Sequence, residues 1–359
     1  ISVISEPEKG HGVSHFERDM QKEGKSWKDK LRVRIAEVML YSHDFKVFLF
    51  SGLGSQTLDM GRKLYTENSI FRNIMDDLNA SLKKLSGISV IDNYYESKKE
   101  NIFFSSQSML FMTQYSLACT FIEMGMIPDA LAGYSLGEFI AGAVSGAMSA
   151  KEFLGILYEQ SILIEEKCCE GAALFVNATP ETFNKYKELF LINDVEIINE
   201  YSKKHFIISS LNKSIEIIES ELKTKGILSC RLPVFYAFHT HLIDIISNDI
   251  NTVYNKLNFS TPQIHIISSV DGYDFFEANP AYLWSIIRRP IRYTKTIKQC
   301  IDYDSILIDC SPLGSCSNFV KYNFKEVHCV VSMLDSHICK KLRISSLPEI
   351  KDIVSEQLE

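Results

Sequence analysis

Long apolar runs and export signals are missing from this sequence. No stretch approaches the roughly 20 uninterrupted apolar residues that a membrane-spanning helix requires. The opening residues, ISVISEP, lack the basic, apolar and small-residue order of a secretory signal peptide. Internal repeats and low-complexity tracts are also absent. These absences argue against a membrane protein and a repeat protein, and they predict a soluble protein of the cytoplasm.

Basic charge is scarce over the whole chain. It carries 38 Lys and Arg residues against 45 Asp and Glu residues, a formal net charge of −7 at pH 7. Because affinity for phosphate backbones depends on accumulated lysine and arginine, this balance argues against a general nucleic-acid binder. Residues 288–295 (RRPIRYTK) are the exception, with four cations in eight positions. This segment either docks an acidic partner or is a solvated surface segment.

Cysteine pairs with metal or redox spacing are missing as well. None of the nine cysteines belongs to a C-x-x-C motif, so neither a zinc site nor a disulfide framework is indicated. Cys119, Cys230 and Cys310 lie among apolar residues, as reduced core thiols do. The adjacent Cys168 and Cys169 could be interpreted as a redox pair, but neighbours in a helix point to different faces. We therefore expect free thiols and no bound metal.

Apolar residues, in contrast, are plentiful. With 359 residues and 46% apolar content the chain can bury a large core, as one large domain carrying a smaller one or as two of similar size. We expect an N-terminal linker and helical extension over 1–43 and a large domain over 44–171 and 235–335. The small domain is expected over 172–234, and a C-terminal helical tail over 336–359.

The first half of the large domain has the pattern of alternating strands and helices. Residues 46–51 (KVFLFS) form a short apolar strand, and residues 52–55 (GLGS) interrupt it before a helical region over 57–85. A further helix is predicted over 107–124, where apolar residues recur at helical spacing. A strand followed by a glycine loop and a helix favours an α/β fold with a parallel sheet.

The small domain has its own order of elements. Over 172–234 the apolar and turn patterns predict a strand, a helix, two strands, a helix and a final strand. This β-α-β-β-α-β order is the split-βαβ, ferredoxin-like pattern, for which roughly 60 residues suffice. We therefore expect an inserted ferredoxin-like domain.

A candidate nucleophile lies in residues 133–138 (GYSLGE). Apolar residues 130–132 before this motif and helix-like residues 139–144 after it predict a strand-turn-helix. A serine on such a turn holds a strained backbone angle, and glycines two positions to either side allow neighbouring elements to approach. Ser135 is therefore the predicted nucleophile. The alternative is a tight turn beside a buried helix.

His239 is the candidate general base for this serine. It lies in residues 235–241 (FYAFHTH), where the chain returns from the small domain to the large one. An imidazole hydrogen-bonded to the serine can take its proton during attack and return it to the leaving group. Two alternatives stay open: a satisfied core histidine, or a metal pair of His239 and His241 on one face of a strand, without a third ligand nearby.

Several motifs together resemble the malonyl-CoA:acyl carrier protein acyltransferase family. Residues 50–56 (FSGLGSQ) resemble its F-P-G-Q-G-S-Q opening, and residues 133–138 resemble its G-H-S-x-G-E elbow. Residues 236–239 (YAFH) are similar to its H-A-F-H or Y-A-S-H motif. With residues 290–293 (PIRY) and 309–314 (DCSPLG), these motifs occur in the family's order.

The resemblance implies a fold and a mechanism. It implies an α/β-hydrolase-like large domain with a parallel sheet, an inserted ferredoxin-like small domain, and a ping-pong reaction through an acyl ester on Ser135. The family's oxyanion hole uses two backbone N–H groups, which here fall on Leu53 and Leu136. Because the donors belong to the backbone, a leucine at position 53 keeps its donor. The resemblance also places the carbonyl that orients His239 in the loop before residues 290–293 (PIRY), near Ile286.

The sequence departs from the family where the malonyl carboxylate is bound. Counted back from residues 170–171 (EG), the family's arginine falls on Gln160. A carboxylate in a mostly closed pocket loses hydration, and a bidentate guanidinium is the usual compensation, whereas Gln160 supplies neutral donors only. The resemblance therefore implies a preference for uncharged acyl chains. An alignment slip is the alternative, although Lys167 is the one cation between positions 152 and 184.

Gln160, Tyr134 and residues 284–291 and 319–322 look like the acyl hydrolase branch of trans-acyltransferase polyketide pathways, whose members clear stalled acyl groups from carrier proteins. The resemblance implies hydrolysis of acyl thioesters on an acyl carrier protein, with acyl transfer from coenzyme A to the carrier as the alternative. A catalytically silent docking domain is a third possibility. The carrier is the expected partner and brings its own phosphopantetheine, so the expected enzyme is a monomer that needs no cofactor, nucleic acid or membrane.

Overall fold

The computed structural model describes most of the chain between residues 45 and 333. The described ranges are 45–96, 102–272, 274–275, 278–302, 305–325 and 330–333. The expected N-terminal extension over 1–43 and the expected C-terminal tail over 336–359 lie outside the described residues.

The strands and helices alternate along these ranges. The strands are β1 (Phe45–Phe50), β2 (Ala130–Gly133), β3 (Gly171–Val176), β4 (Glu196–Ser202), β5 (His205–Leu211), β6 (Ser229–Leu232), β7 (His265–Ile267), β8 (Asp274–Phe275), β9 (Ser305–Asp309) and β10 (Val330–Ser332). The helices are α1 (Arg62–Glu67), α2 (Ser69–Ser86), α3 (Val90–Tyr95), α4 (Ile102–Glu123), α5 (Leu136–Val144), α6 (Ala150–Lys167), α7 (Pro180–Lys185), α8 (Lys187–Ile192), α9 (Asn212–Thr224), α10 (Ser247–Tyr254), α11 (Pro280–Arg288), α12 (Tyr293–Asp302) and α13 (Ser315–Asn323), with a 3₁₀ helix at His241–Ile246. Among the described helices, none combines the length and apolarity needed to cross a bilayer.

The larger sheet has the strand order β10-β9-β1-β2-β7-β8, and all its strands run parallel except β8. Phe48 and Phe50 of β1 belong to one apolar core, and Val47 and Leu49 belong to another on the opposite face. Burial on both faces explains why β1 is an unbroken apolar run. Because β1 and β2 are parallel and adjacent, the loops that follow them meet at one edge of the sheet.

The smaller sheet has the order β4-β5-β3-β6, and its strands pair antiparallel. Successive residues of β3 point to opposite faces. Leu174 packs into the small domain's own core with Ile215 of α9, whereas Ala173 packs with Ile207 on the other face. This second face lines a pocket that also contains residues of the large domain.

The predicted fold class is confirmed, because both the parallel sheet with its helices and the β-α-β-β-α-β unit are present. Two predicted helices are each divided: the helical region over 57–85 into α1 and α2, and the first helix of the small domain into α7 and α8. The helix predicted over 107–124 begins earlier, at Ile102. Asn68 ends α1 and caps α2, since its side chain accepts a hydrogen bond from Phe71 N at 3.0 Å. The proposed domain limits stay a prediction, while the small sheet itself runs from Gly171 to Leu232.

Candidate active site

Ser135 lies on the turn between β2 and α5. Its backbone has φ 54° and ψ −114°, a strained conformation for a residue with a side chain. A Cβ atom on Gly133 would lie 2.3 Å from Glu138 N. A Cβ atom on Gly137 would lie 2.3 Å from Phe50 O. Only glycine permits these two approaches, so the local sequence builds the predicted elbow and leaves Ser135 partly exposed.

The fold brings His239 to this serine across 104 sequence positions. Ser135 Oγ and His239 Nε2 lie 2.9 Å apart, a hydrogen-bonding distance. The histidine is 3% exposed, and its φ of 64° is another positive value at a residue with a side chain. Its backbone N–H donates to Ile287 O at 2.9 Å, which attaches this turn to α11. The two candidate reacting groups are therefore in contact.

The carbonyl that orients His239 belongs to Arg289, in the expected loop before residues 290–293 (PIRY) but three positions after Ile286. Arg289 O lies 2.9 Å from His239 Nδ1. Helix α11 ends at Arg288, and Arg289 is extended, with φ −84° and ψ 152°, which turns its carbonyl out of the helix. Because a carbonyl only accepts, Nδ1 carries the proton and Nε2 is left to accept from the serine hydroxyl.

Burial keeps the imidazole neutral. Desolvation lowers the pKa of His239 to about 4, and the bond to the Arg289 carbonyl opposes this shift without reversing it. The ring is therefore unprotonated at neutral pH, the state in which Nε2 can receive a proton.

A pH dependence of stability follows from this pKa. Because the folded-state pKa of about 4 lies below the ordinary 6.5, between these values the unfolded chain binds a proton that the folded protein does not. The contribution of His239 is fully present above pH 6.5 and is lost as the pH falls to about 4. The lost free energy of unfolding is on the order of 3 kcal/mol. Urea unfolding at pH 7.5 and 4.5 measures this difference. The His239→Gln variant is expected to lose less free energy of unfolding between these pH values than the wild type. An equal loss in both proteins would contradict the assignment of the pH dependence to His239.

The loop after β1 lies against the serine and presents a backbone amide. A Cβ on Gly52 would lie 3.1 Å from Ser135 Cβ, which fixes how closely the loop approaches. Gln114 of α4 holds the loop's first residue, accepting from Ser51 N at 2.8 Å and donating to Ser51 O at 3.1 Å. Within the described residues the amides of Leu53 and Leu136 have no backbone acceptor, and both residues line the pocket that contains Ser135.

A pocket opens over Ser135, between the elbow and the second face of the small sheet. Its polar lining residues are Gln107, Tyr134, Ser135, Gln160, Ser209, Tyr236 and His239. The other described lining residues are apolar, and they come from both domains. Among the described residues that line it, none is lysine, arginine, aspartate or glutamate. A carboxylate bound here would find hydrogen-bond donors but no countercharge.

Gln160 lies in this pocket. Helix α6, which carries it, begins with a capping box between Ser149 and Glu152. The side chain of Gln160 is 2% exposed, and its Oε1 accepts from the hydroxyl of Tyr254 at 3.0 Å. With Oε1 engaged, the amide N–H₂ is the part of Gln160 that can donate to a substrate.

Sequence analysis did not identify Gln107 as a pocket residue. It lies in α4, is buried, and donates through Nε2 to Leu157 O at 2.9 Å. No signal in the sequence was specific to Gln107, because the same helix carries several other buried polar side chains, Gln114 among them.

Glu138 links the elbow to α11, a second contact that sequence analysis did not identify. This carboxylate is 2% exposed and accepts from Ser269 N and, at 2.5 Å, from the hydroxyl of Tyr282 in α11. Ser268 Oγ donates to it at 3.3 Å. Burial raises the pKa of Glu138, and the hydrogen bonds oppose this. Since α11 also leads to the Arg289 carbonyl, Glu138 connects the two halves of the site.

We expect Glu138→Ala to destabilise the protein by about 2 kcal/mol, because it leaves the buried Ser269 amide without its acceptor, whereas the Tyr282 hydroxyl can still donate to Ser268 Oγ at 3.0 Å. Urea unfolding measures the loss, and kcat is expected to fall with it because α11 loses its link to the elbow. Glu138→Gln is the matched variant, since its amide oxygen can still accept from Ser269. A glutamine variant as unstable as the alanine variant would contradict this explanation.

His241 points away from the site, and the metal-pair alternative fails. The segment is a turn and a 3₁₀ helix capped by Thr240, so the two histidines do not share the face of a strand. His241 Nδ1 lies 2.5 Å from Glu196 Oε1, and its Nε2 lies 3.4 Å from Asp194 Oδ2. Over the ranges that the structure covers, no group of three or more His, Cys, Asp or Glu residues is arranged to hold a metal.

The fold and the site define an α/β enzyme with a serine–histidine contact at the edge of a parallel sheet, beside an inserted ferredoxin-like unit. The acyl transferase domain family matches residues 47–330, and the chain belongs to this family. The family expected from the motifs is thus confirmed.

Two named relatives and a solved structure are similar to the chain. It is 34% identical over 282 residues to the polyketide biosynthesis acyltransferase homolog PksD of Bacillus subtilis (strain 168), covering 77% of this chain and 86% of that protein. It is 32% identical over 282 residues to the homolog BaeD of Bacillus velezensis, again covering 77% of this chain and 86% of that protein. The malonyl CoA-acyl carrier protein transacylase of Coxiella burnetii has a similar fold, with a TM-score of 0.73, 20% identity, and coverage of 82% of this chain and 95% of that one.

Proposed function

We propose that the protein hydrolyses acyl thioesters of an acyl carrier protein in polyketide biosynthesis, through an acyl ester of Ser135. The contact between Ser135 and His239, beneath a pocket in which no described lining residue is lysine, arginine, aspartate or glutamate, carries this proposal. PksD and BaeD are named as polyketide biosynthesis acyltransferase homologs, which supports the polyketide context. The Coxiella protein is named as an acyl carrier protein transacylase, which supports a carrier protein as the partner. A monomeric state and a cytoplasmic location belong to the same proposal.

The reaction has two halves. His239 Nε2 takes the hydroxyl proton while Ser135 Oγ attacks the thioester carbonyl, and the amides of Leu53 and Leu136 donate to the oxyanion. The C–S bond breaks, and the imidazolium returns its proton to the leaving thiol of the phosphopantetheine. Water then attacks the acyl-Ser135 ester, giving a proton to His239. The proton passes to Oγ as the ester breaks, which releases the acid.

The substrate is an uncharged acyl group. A malonyl carboxylate would lose hydration in this pocket and find Gln160 in place of a guanidinium. Without a countercharge, the malonyl group is expected to lose roughly 2 to 5 kcal/mol of binding free energy, as when one partner of a buried charge pair is truncated. Transfer of an acyl unit from coenzyme A to a carrier is the second candidate, because the Coxiella protein with the same fold is named for it. Whether water or a thiol resolves the acyl-enzyme separates the two.

Intact-mass analysis separates the candidates. The purified protein is incubated with acetyl-loaded and with malonyl-loaded carrier protein. Free acetate and unloaded carrier are the expected products. Capture of malonyl from its coenzyme A ester on Ser135, followed by passage to an empty carrier, would overturn the ranking in favour of transfer. An unchanged mass in every sample would indicate a docking domain without catalysis.

A further inference from the structure

Two glutamine side chains of the active-site pocket each keep one hydrogen-bonding atom without a partner in the described chain. Gln107 and Gln160 line the pocket that contains Ser135, and they are 1% and 2% exposed. The hydrogen bond that each side chain makes uses one end of its amide and leaves the other end free. Which end is free decides what the pocket can bind, because an amide donates at one end and accepts at the other.

The free end of Gln107 is its carbonyl oxygen. Its Nε2 donates to Leu157 O at 2.9 Å. Because a backbone carbonyl only accepts, this bond fixes which end of the amide is turned toward α6. Gln107 Oε1 has no donor among the described residues and stays accessible at the pocket. Gln107 therefore offers the pocket a hydrogen-bond acceptor.

The free end of Gln160 is its N–H₂ group. Tyr254 is buried, and Gln160 Oε1, 3.0 Å away, is the partner of its hydroxyl within the described chain. Burial raises the pKa of Tyr254, so the hydroxyl keeps its proton and donates it to this oxygen. Gln160 Nε2 has no acceptor in the part of the chain that the structure covers, and it also stays accessible. Gln160 therefore offers the pocket a donor.

The donor and the acceptor come from neighbouring positions in the fold. Gln107 is bonded to Leu157 of α6, and Gln160 follows Leu157 by three positions, about one turn of the same helix. A hydroxyl satisfies both amides with one oxygen, because it accepts from an N–H₂ group and donates to a carbonyl. A methylene group leaves both amides unpaired. A carboxylate only accepts, so it would set its charge against Gln107 Oε1.

We propose that the pocket selects acyl groups with a hydroxyl on the second or third carbon, which donates to Gln107 Oε1 and accepts from Gln160 Nε2. This inference rests on the proposed function and names the class of acyl group within it. A hydroxyl replaces the hydrogen bonds that water makes with the two amides in the empty pocket, whereas an alkyl chain displaces that water without replacing them. The hydroxyacyl group is therefore favoured over the unsubstituted acyl group of the same length.

The test compares matched thioesters of N-acetylcysteamine, so that contacts with a carrier protein do not contribute. Butyryl is compared with both enantiomers of 2-hydroxybutyryl and of 3-hydroxybutyryl, and both acyl-Ser135 formation and acid release are followed. We expect at least one hydroxy compound to exceed butyryl in kcat/KM on the order of 30-fold, because butyryl leaves the two buried amides unpaired. Values equal to or below that of butyryl for all four compounds would overturn the proposal.

Variants assign the preference to the two amides. Gln107→Met and Gln160→Met each remove one polar end, and each is expected to bring the ratio of hydroxybutyryl to butyryl kcat/KM toward unity. A general loss of packing lowers both rates and leaves their ratio unchanged, so the ratio reports on the hydroxyl. Ser161→Ala is the matched control and should keep the ratio, because this buried hydroxyl donates to Tyr158 O at 2.7 Å and does not line the pocket. A preference that survives in both methionine variants would show that other groups bind the hydroxyl.

The readouts separate this inference from the proposed function. If acyl-Ser135 forms but no acid is released, hydrolysis fails, and the ratio of acylation rates still decides the inference. If no thioester acylates Ser135, the proposed function fails as a whole. Binding of the same thioesters to the Ser135→Ala protein then decides the inference: a lower Kd for a hydroxybutyryl thioester than for butyryl supports it, and equal Kd values overturn it.

Discussion

Ser135→Ala is expected to lower kcat for acyl-carrier hydrolysis by about 10⁴-fold or more, because the attacking oxygen is removed while the pocket and its donors remain. No acyl-enzyme should then appear in intact-mass spectra after incubation with acetyl-loaded carrier. The hydroxyl is half of a 2.9 Å contact with His239, so the variant also removes the proton that the imidazole is placed to receive. Stopped-time assays of released acetate measure the loss.

Two further variants control this result. His239→Ala should lower kcat nearly as much as Ser135→Ala does. The double variant should lower kcat little further, because the two groups act as one unit. Ser145→Ala, which removes a hydroxyl at the end of the same helix that donates to Gly142 O at 2.8 Å, should leave kcat unchanged. Residual acyl-enzyme in the Ser135→Ala protein would show that another residue is the nucleophile.

Gln160→Arg is expected to raise the ratio of malonyl to acetyl kcat/KM by about 30-fold or more. This factor corresponds to about 2 kcal/mol, the lower end of the free energy lost when a buried charge pair is truncated. The guanidinium would meet the carboxylate that the present pocket leaves without a countercharge. The measurement compares the release or capture of both acyl groups, loaded on the same carrier, at equal enzyme concentration.

The design must account for Tyr254. Its hydroxyl donates to Gln160 Oε1, and an arginine cannot accept that bond, so the single variant leaves a buried hydroxyl without an acceptor. Gln160→Arg should therefore also be made together with Tyr254→Phe. Gln160→Met, which removes the polar end without adding charge, is the matched control and should not gain malonyl activity. An unaltered preference in both arginine variants would remove Gln160 as the determinant of acyl choice.

Backbone strain is concentrated at the site. Among described residues with side chains, three have positive φ: Ser135, Asp194 and His239. Two of these are the candidate reacting pair, and the third, Asp194, has its Oδ2 3.4 Å from His241 Nε2. Such conformations persist only where surrounding contacts enforce them, here the glycines of the elbow and the bond from His239 N to Ile287 O. The strain therefore sets the directions of Oγ and Nε2 before a substrate binds.

The elbow was predictable because its geometry depends on a few adjacent residues. Gly133 and Gly137 are required by contacts with the turn itself and with the neighbouring strand, so the motif encodes its own conformation. The orienting carbonyl was not predictable to the residue. Where α11 ends decides which carbonyl turns toward His239, and helix ends are weakly encoded by sequence. Glu138 belongs to the elbow motif, but its contact with Tyr282 joins positions 144 apart.

The sequence alone determined the order of strands and helices, the elbow at Ser135 and the family, because sterics and apolar periodicity act over a few neighbouring residues. Only the tertiary structure decided that His239 meets Ser135, that Arg289 orients it and that residues of two domains form a pocket whose described lining carries no lysine, arginine, aspartate or glutamate. It also decided that Arg288 and Arg289 of residues 288–295 pair with carboxylates. Those contacts join distant segments, and they depend on how whole elements pack rather than on local preference.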